Sequence, residues 1–166
     1  MIKPIYVTLY FMKRRDFIKY QSLLLSLAYF YPLGVNAKKL ELNKKIIPSS
    51  KEAIPVIGMG TWISFNVGDN KKLRDQRTQV LKKFFEYGGG MIDSSPMYGS
   101  SEEVLGYALK KLGYPKGLFS ATKIWTPSTE TGKEQFQDSL RLWGLKTLDL
   151  EQVHNLVNYE EHLETL

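Results

Sequence analysis

Four side chains in this chain could together move a proton to or from an oxygen: Asp93, Tyr98, Lys123 and His154. A free tyrosine titrates near 10 and is a poor acid or base at neutrality. An ammonium beside it favours the phenolate, and a carboxylate beside the ammonium keeps that cation charged and oriented. A histidine close by can hydrogen-bond a carbonyl oxygen. The set would therefore donate a proton to an oxygen on which negative charge develops. Each member also has an ordinary structural reading when taken singly. Asp93 could cap the turn Ser94-Ser95-Pro96, Tyr98 could pack with a wet hydroxyl, Lys123 could be solvated, and His154 could be a satisfied core histidine.

The elements that must carry these residues decide between the readings. Ile46 to Ile54 reads as two short edges around a polar turn, a hairpin. Val56-Ile-Gly-Met-Gly60 is a first strand, followed by Thr61-Trp62. Residues 70–87 set Leu73, Val80, Leu81, Phe84 and Phe85 on a helical stripe that Gly88-Gly-Gly90 stops. Met91-Ile-Asp93 is a second strand. Ser100 to Glu103 matches a capping box and opens a helix with Val104, Leu105, Ala108, Leu109 and Leu112, closed by Gly113. Leu118 to Lys123 is a third strand. Thr131 to Glu134 is another capping-box match, starting a helix with Phe136, Leu140 and Trp143. Leu148 to His154 is a fourth strand, and Asn158 to Glu161 starts one more helix.

Strands alternating with helices across short links argue for βαβ units and a parallel sheet. Periodicity cannot choose between an open doubly wound sheet and a closed barrel. Position does more, because Thr61, Asp93, Lys123 and His154 all fall at or just past the C-terminal end of a strand. Polar residues converging on that rim from successive strands build the site of a (β/α)₈ TIM barrel. Such a barrel needs roughly 250 residues. The expectation is a truncated half-barrel of about four βα units with an N-terminal hairpin.

Charge and composition narrow the function classes. The chain has 166 residues with 43% hydrophobic and 24% charged content, an ordinary globular balance. It has no cysteine, which excludes a disulfide framework, thiolate metal ligands and a thiol nucleophile, and its 2 histidines leave little for a metal cluster. Of the net charge of +6, residues 1–37 carry +4, from Lys3, Lys13, Arg14, Arg15 and Lys19 against Asp16. The rest is nearly balanced, and its paired lysines suit solvated helix faces rather than nucleic acid.

Residues 1–37 read as an address. Met12-Lys-Arg-Arg-Asp-Phe-Ile-Lys19 precedes an apolar run from Tyr20 to Val35, and Val35-Asn-Ala37 forms a small-x-small site. That is a positive region, an apolar region and a cleavage site in the order of a secretory signal. The adjacent arginines resemble the twin-arginine (Tat) export signal. Met12 is then the expected true start, with cleavage near Ala37 and a mature domain over residues 38–166. The Tat export machinery is the implied partner and the periplasm the implied location. The alternative is membrane anchoring by an uncleaved N-terminal segment, although the apolar run is short and holds Pro32.

Four stretches, IPVIGMGTW (54–62), MIDSSPMYGSSEEVLG (91–106), ATKIW (121–125) and DLEQVHN (149–155), resemble the aldo/keto reductase family in order and spacing. The resemblance implies a (β/α)₈ barrel that reduces aldehydes or ketones, or oxidises alcohols, with NADP(H). It implies Tyr98 as general acid, Lys123 as its partner, Asp93 as the partner of Lys123, and His154 as the orienter of a small carbonyl substrate. Gly60, Thr61, Trp62 and Asp93 would approach the cofactor, and Trp62, Trp125 and His154 the substrate. The hairpin would plug the N-terminal end of the barrel. In this family the loops that grip the cofactor phosphates lie in the second half of the barrel. A second reading therefore follows, a non-catalytic half-barrel that acts by associating with a partner or membrane. Half a barrel leaves unpaired edges and an open apolar interior.

Overall fold

The computed structural model describes residues 42–164 and 166, together with Ile18 and Gln21. The signal region, its cleavage site at Ala37 and the start at Met12 lie outside the described residues. Among the described residues no helix is long and apolar enough to cross a membrane.

The first two strands form the expected hairpin. β1 (Lys44–Ile46) pairs antiparallel with β2 (Ala53–Pro55), Lys45 opposite Ile54. Inside the turn Lys51 takes a left-handed backbone, φ 63°. The hairpin faces Met91, Phe119 and Leu150 across a cavity of about 390 Å³ that Ile47 and Ile54 also line. It thus lies against the N-terminal ends of the strands that follow.

Those strands are β3 (Met59–Gly60), β4 (Met91–Asp93), β5 (Phe119–Ile124) and β6 (Leu150–Val153). They form one parallel sheet in chain order, β3-β4-β5-β6. Between them run α1 (Trp62–Phe65), α2 (Lys71–Glu86), α3 (Ser101–Leu112) and α4 (Thr129–Trp143), and α5 (Tyr159–His162) follows β6. Side chains alternate across each strand. Ile92 packs with Leu81, Val104, Leu105, Ala108, Leu109 and Trp143 in the core between sheet and helices. Asp93, Lys123 and Gln152 share the opposite face, since Asp93 pairs with Ala121 and Lys123 with Gln152.

Several local expectations are corrected. β3 is only two residues long, and His154 begins a 3₁₀ turn (His154–Leu156) rather than ending a strand. On α2 it is Thr78 that turns inward with Leu81, while Val80 is exposed. Neither capping box forms. Ser100 instead accepts from the Gly68 N–H (2.8 Å) and donates to Asn66 Oδ1 (3.0 Å), and Glu103 pairs with Arg74. The cap of α4 is Ser128, which accepts from the Thr131 N–H. Phe136 and Leu140 are only half-buried, and Trp143 carries the burial of that helix. For Ser100 and Glu103 it is a tertiary partner close by that wins over the local pattern, whereas Ser128 caps α4 from three residues before Thr131.

A buried polar knot lies between the sheet and the helices. Glu102 on α3 is only 3% exposed and accepts from Thr122 Oγ1 (2.7 Å), Trp143 Nε1 (2.9 Å) and Ser139 Oγ (3.2 Å). Three donors satisfy the carboxylate where water cannot reach it. They also tie α3 to α4 and β5.

Candidate active site

The last residue of β4 sets the site. Lys123, on the neighbouring strand, reaches diagonally across the sheet to Asp93. Its Nζ donates to both carboxylate oxygens at 2.6 Å and to the Ser94 carbonyl at 2.8 Å. Three charge-assisted bonds fix an ammonium that is only 14% exposed. Gln152, one strand further, donates to Asp93 Oδ1 at 3.3 Å.

The chain leaves β4 through Ser94 and enters a 3₁₀ turn, Pro96–Tyr98, capped by the Ser95 hydroxyl, which accepts from the Met97 N–H. The turn delivers Tyr98 beside Lys123, whose Nζ lies 5.5 Å from the centre of the phenol ring. His154 meets the same ring edge-on at 5.5 Å, and Trp62 lies 6.2 Å from it. Among the described residues no group takes a hydrogen bond from the Tyr98 hydroxyl. Gly99 can follow because its backbone, φ 59° and ψ −121°, is one that glycine alone adopts readily.

His154 is held from two strands away on the same rim. Its Nδ1 lies 2.6 Å from Ser95 Oγ. Partial burial pushes the imidazole pKa below the usual histidine range, the nearby Lys123 charge adds to this, and Asp93 opposes it. A neutral ring with a free second nitrogen can hydrogen-bond an oxygen.

The remaining expected residues divide. Trp62 and Trp125 stand at the rim, 59% and 41% exposed. Trp125 is held by a reciprocal pair of bonds from its backbone to the Gln135 side chain (2.8 and 3.0 Å). Gly60 is exposed, and a Cβ there would meet nothing within 4 Å, so its backbone lies open to a ligand. Thr61 is different. It is wholly buried, its hydroxyl donates to the Asp93 carbonyl (3.1 Å) and it shares a 2.8 Å bond with Ser94 Oγ. It splints β3 to β4 rather than offering its side chain to a ligand.

Asp93, Lys123, Tyr98 and His154 are therefore brought together. Two neighbours lay outside the sequence reading. Gln152 was signalled by its place two residues before His154, on the same sheet face as Asp93. Ser95 gave no signal beyond a turn propensity, because its partner lies 59 positions away.

A sequence model described as the aldo/keto reductase family matches residues 56–166. Methylglyoxal reductase YeaE of Escherichia coli (strain K12) is 29% identical over 116 residues, which take in 68% of this chain and 40% of that protein. Aldehyde reductase YPR1 of Saccharomyces cerevisiae is 33% identical over 103 residues, 61% of this chain and 30% of that protein. The crystal structure of an aldo-keto reductase from Klebsiella pneumoniae in complex with NADPH aligns with a TM-score of 0.59. That alignment covers 74% of this chain and 45% of the other, at 24% identity, and it bears on fold alone. The chain spans less than half the length of these relatives.

Proposed function

The chain belongs to the aldo/keto reductase family, and on that premise we propose that it forms the first four βα units of a (β/α)₈ reductase of aldehydes and ketones that uses NADP(H). The observation that carries the reading is the Asp93–Lys123–Tyr98–His154 cluster on one rim of a parallel sheet. The share of its relatives that the chain covers supports the half-barrel extent.

The geometry supports the following roles. His154 would take the carbonyl oxygen as a hydrogen-bond acceptor and hold it near the Tyr98 hydroxyl. As charge builds on that oxygen, Tyr98 would give up its proton. The Lys123 ammonium beside the ring stabilises the charge left on the phenol. Asp93 keeps Lys123 in place. When bound, NADP(H) supplies the hydride to the carbonyl carbon, or accepts it in the reverse direction. The open backbone of Gly60, with Trp62 beside it, would be among the residues that hold such a cofactor. Trp62 and Trp125 would wall the substrate.

Two experiments test this. In a barrel extended to full length, Tyr98→Phe is expected to abolish carbonyl reduction and leave NADPH affinity nearly intact; retained turnover would refute the role of Tyr98. For the chain itself, NADPH titration followed by tryptophan fluorescence or calorimetry decides whether these units bind cofactor unaided. No binding at millimolar NADPH would exclude activity of the chain by itself and favour the non-catalytic half-barrel.

We further propose that residues 1–37 are a twin-arginine signal, with residues 38–166 as the exported domain in the periplasm. The Arg14-Arg15 pair, the apolar run and the Val35-Asn-Ala37 site support it. Changing Arg14→Lys and Arg15→Lys together is expected to hold the protein in the cytoplasm. Normal processing of that variant would overturn the export route.

A further inference from the structure

Ser95 lies on the rim loop of β4 and His154 on that of β6, with β5 between them in the sheet. Their hydrogen bond therefore spans the rim, from Ser95 Oγ to His154 Nδ1 at 2.6 Å. Ser95 is fully buried, with extended backbone (φ −167°, ψ 147°). Its hydroxyl has one proton and two lone pairs. The Met97 N–H, at 3.2 Å, is a donor only and takes one lone pair.

The hydroxyl proton must then go to His154. If Nδ1 carried a hydrogen and donated it, the Ser95 proton would be left without an acceptor in a site closed to water. Buried donors are rarely left so. With the serine donating, both the Ser95 hydroxyl and His154 Nδ1 are satisfied, and the single proton of a neutral ring must sit on Nε2.

We propose that Ser95 is a positioning residue for His154, its hydroxyl fixing the imidazole as the neutral Nε2–H tautomer. The ring thereby keeps one donor for a substrate oxygen, and its orientation is set by β4 as well as by its own strand. The depressed pKa of His154 agrees with this. The charged or titratable groups that face the ring are Lys123 from β5, Asp93 from β4 and Tyr98 from the 3₁₀ turn. None of these supplies a donor to Nδ1. What the ring does with its Nε2–H rests on the reductase reading; the tautomer does not.

The test is nitrogen NMR of the two histidine rings, His154 and His162, in the full-length 15N-labelled chain without cofactor. His154→Gln identifies which signals belong to which ring. At pH 7.5 the wild-type His154 is expected to show a protonated Nε2 and an acceptor-type Nδ1. Ser95→Ala is expected to yield a mixture of tautomers and to raise the ring titration midpoint by roughly 0.5 pH unit, the worth of one lost neutral hydrogen bond. Ser95→Thr keeps the hydroxyl on an extended backbone that suits a β-branched residue, and should restore both readings. A purely structural Ser95 would change stability and leave the tautomer alone. A wild-type ring protonated at Nδ1, or an unchanged tautomer and midpoint in Ser95→Ala, would overturn the inference even if NADPH binds. Failure to bind NADPH would leave the Ser95 assignment standing.

Discussion

Replacing Glu151 by glutamine should stabilise the protein above neutrality and do little in mild acid. Glu151 is on β6, paired with Thr122, and both of its carboxylate oxygens are buried with no hydrogen-bond partner. Burial raises its pKa first and the neighbouring Glu102 charge next, against an opposing pull from Lys123, to about 8 from an ordinary 4.5. The sign follows from proton counting. Between 4.5 and 8 the folded chain holds a proton that the unfolded chain has released. Stability must therefore fall as pH rises through that window, and stay low above it. Each pH unit of the window corresponds to about 1.4 kcal/mol. Glu151 is only partly buried, and solvent screening reduces the total at pH 7.5 to about 2 kcal/mol. Glutamine keeps the shape and cannot ionise. Urea unfolding of wild type and Glu151→Gln at pH 5 and pH 7.5 should show midpoints that nearly coincide at the lower pH. At pH 7.5 the variant should be stronger by about 2 kcal/mol, with an unchanged denaturant slope. An equal difference at both pH values, or a weaker variant at pH 7.5, would refute the reasoning.

Three further outcomes follow from the packing. Glu102→Leu strands the Trp143 and Thr122 donors and should lower stability by about 3 kcal/mol in urea, whereas Glu102→Gln keeps one acceptor and should lose about 1 kcal/mol; equal losses would contradict the three-donor account. Gly99→Ala puts a Cβ at 2.6 Å from Asn66 Oδ1 on a backbone that alanine avoids. It should cost about 2 kcal/mol in thermal unfolding and loosen the turn that holds Tyr98. Lys123→Met leaves Asp93 with Gln152 as its remaining side-chain donor and should cost about 1–2 kcal/mol, less than for a fully buried pair because Asp93 is partly solvated. An unchanged unfolding curve for Lys123→Met would show that the pair is not formed.

The sequence by itself determined the order of elements, the hairpin and the recurring polar residue at each strand end. Those features are local: strand alternation, glycine stops and turn residues act over a few positions, so they can be read from neighbours in the chain. It also singled out Asp93, Lys123 and His154, because each stands at or just past the end of a strand, and Tyr98 on the turn that follows Asp93. What it misplaced were choices of partner, one claimed by a distant loop and one shifted along the same helix start. Ser100 and Thr131 look like caps, yet Asn66 and Gly68 claim the first, and Ser128 replaces the second. Only the tertiary structure decided that Thr61 is a buried splint, that Glu102 gathers three donors, and that Glu151 finds none. It alone joined Ser95 to His154. The physical reason is that burial makes an unpaired polar atom costly, and its partner is chosen by proximity in the fold, which spacing along the chain does not record.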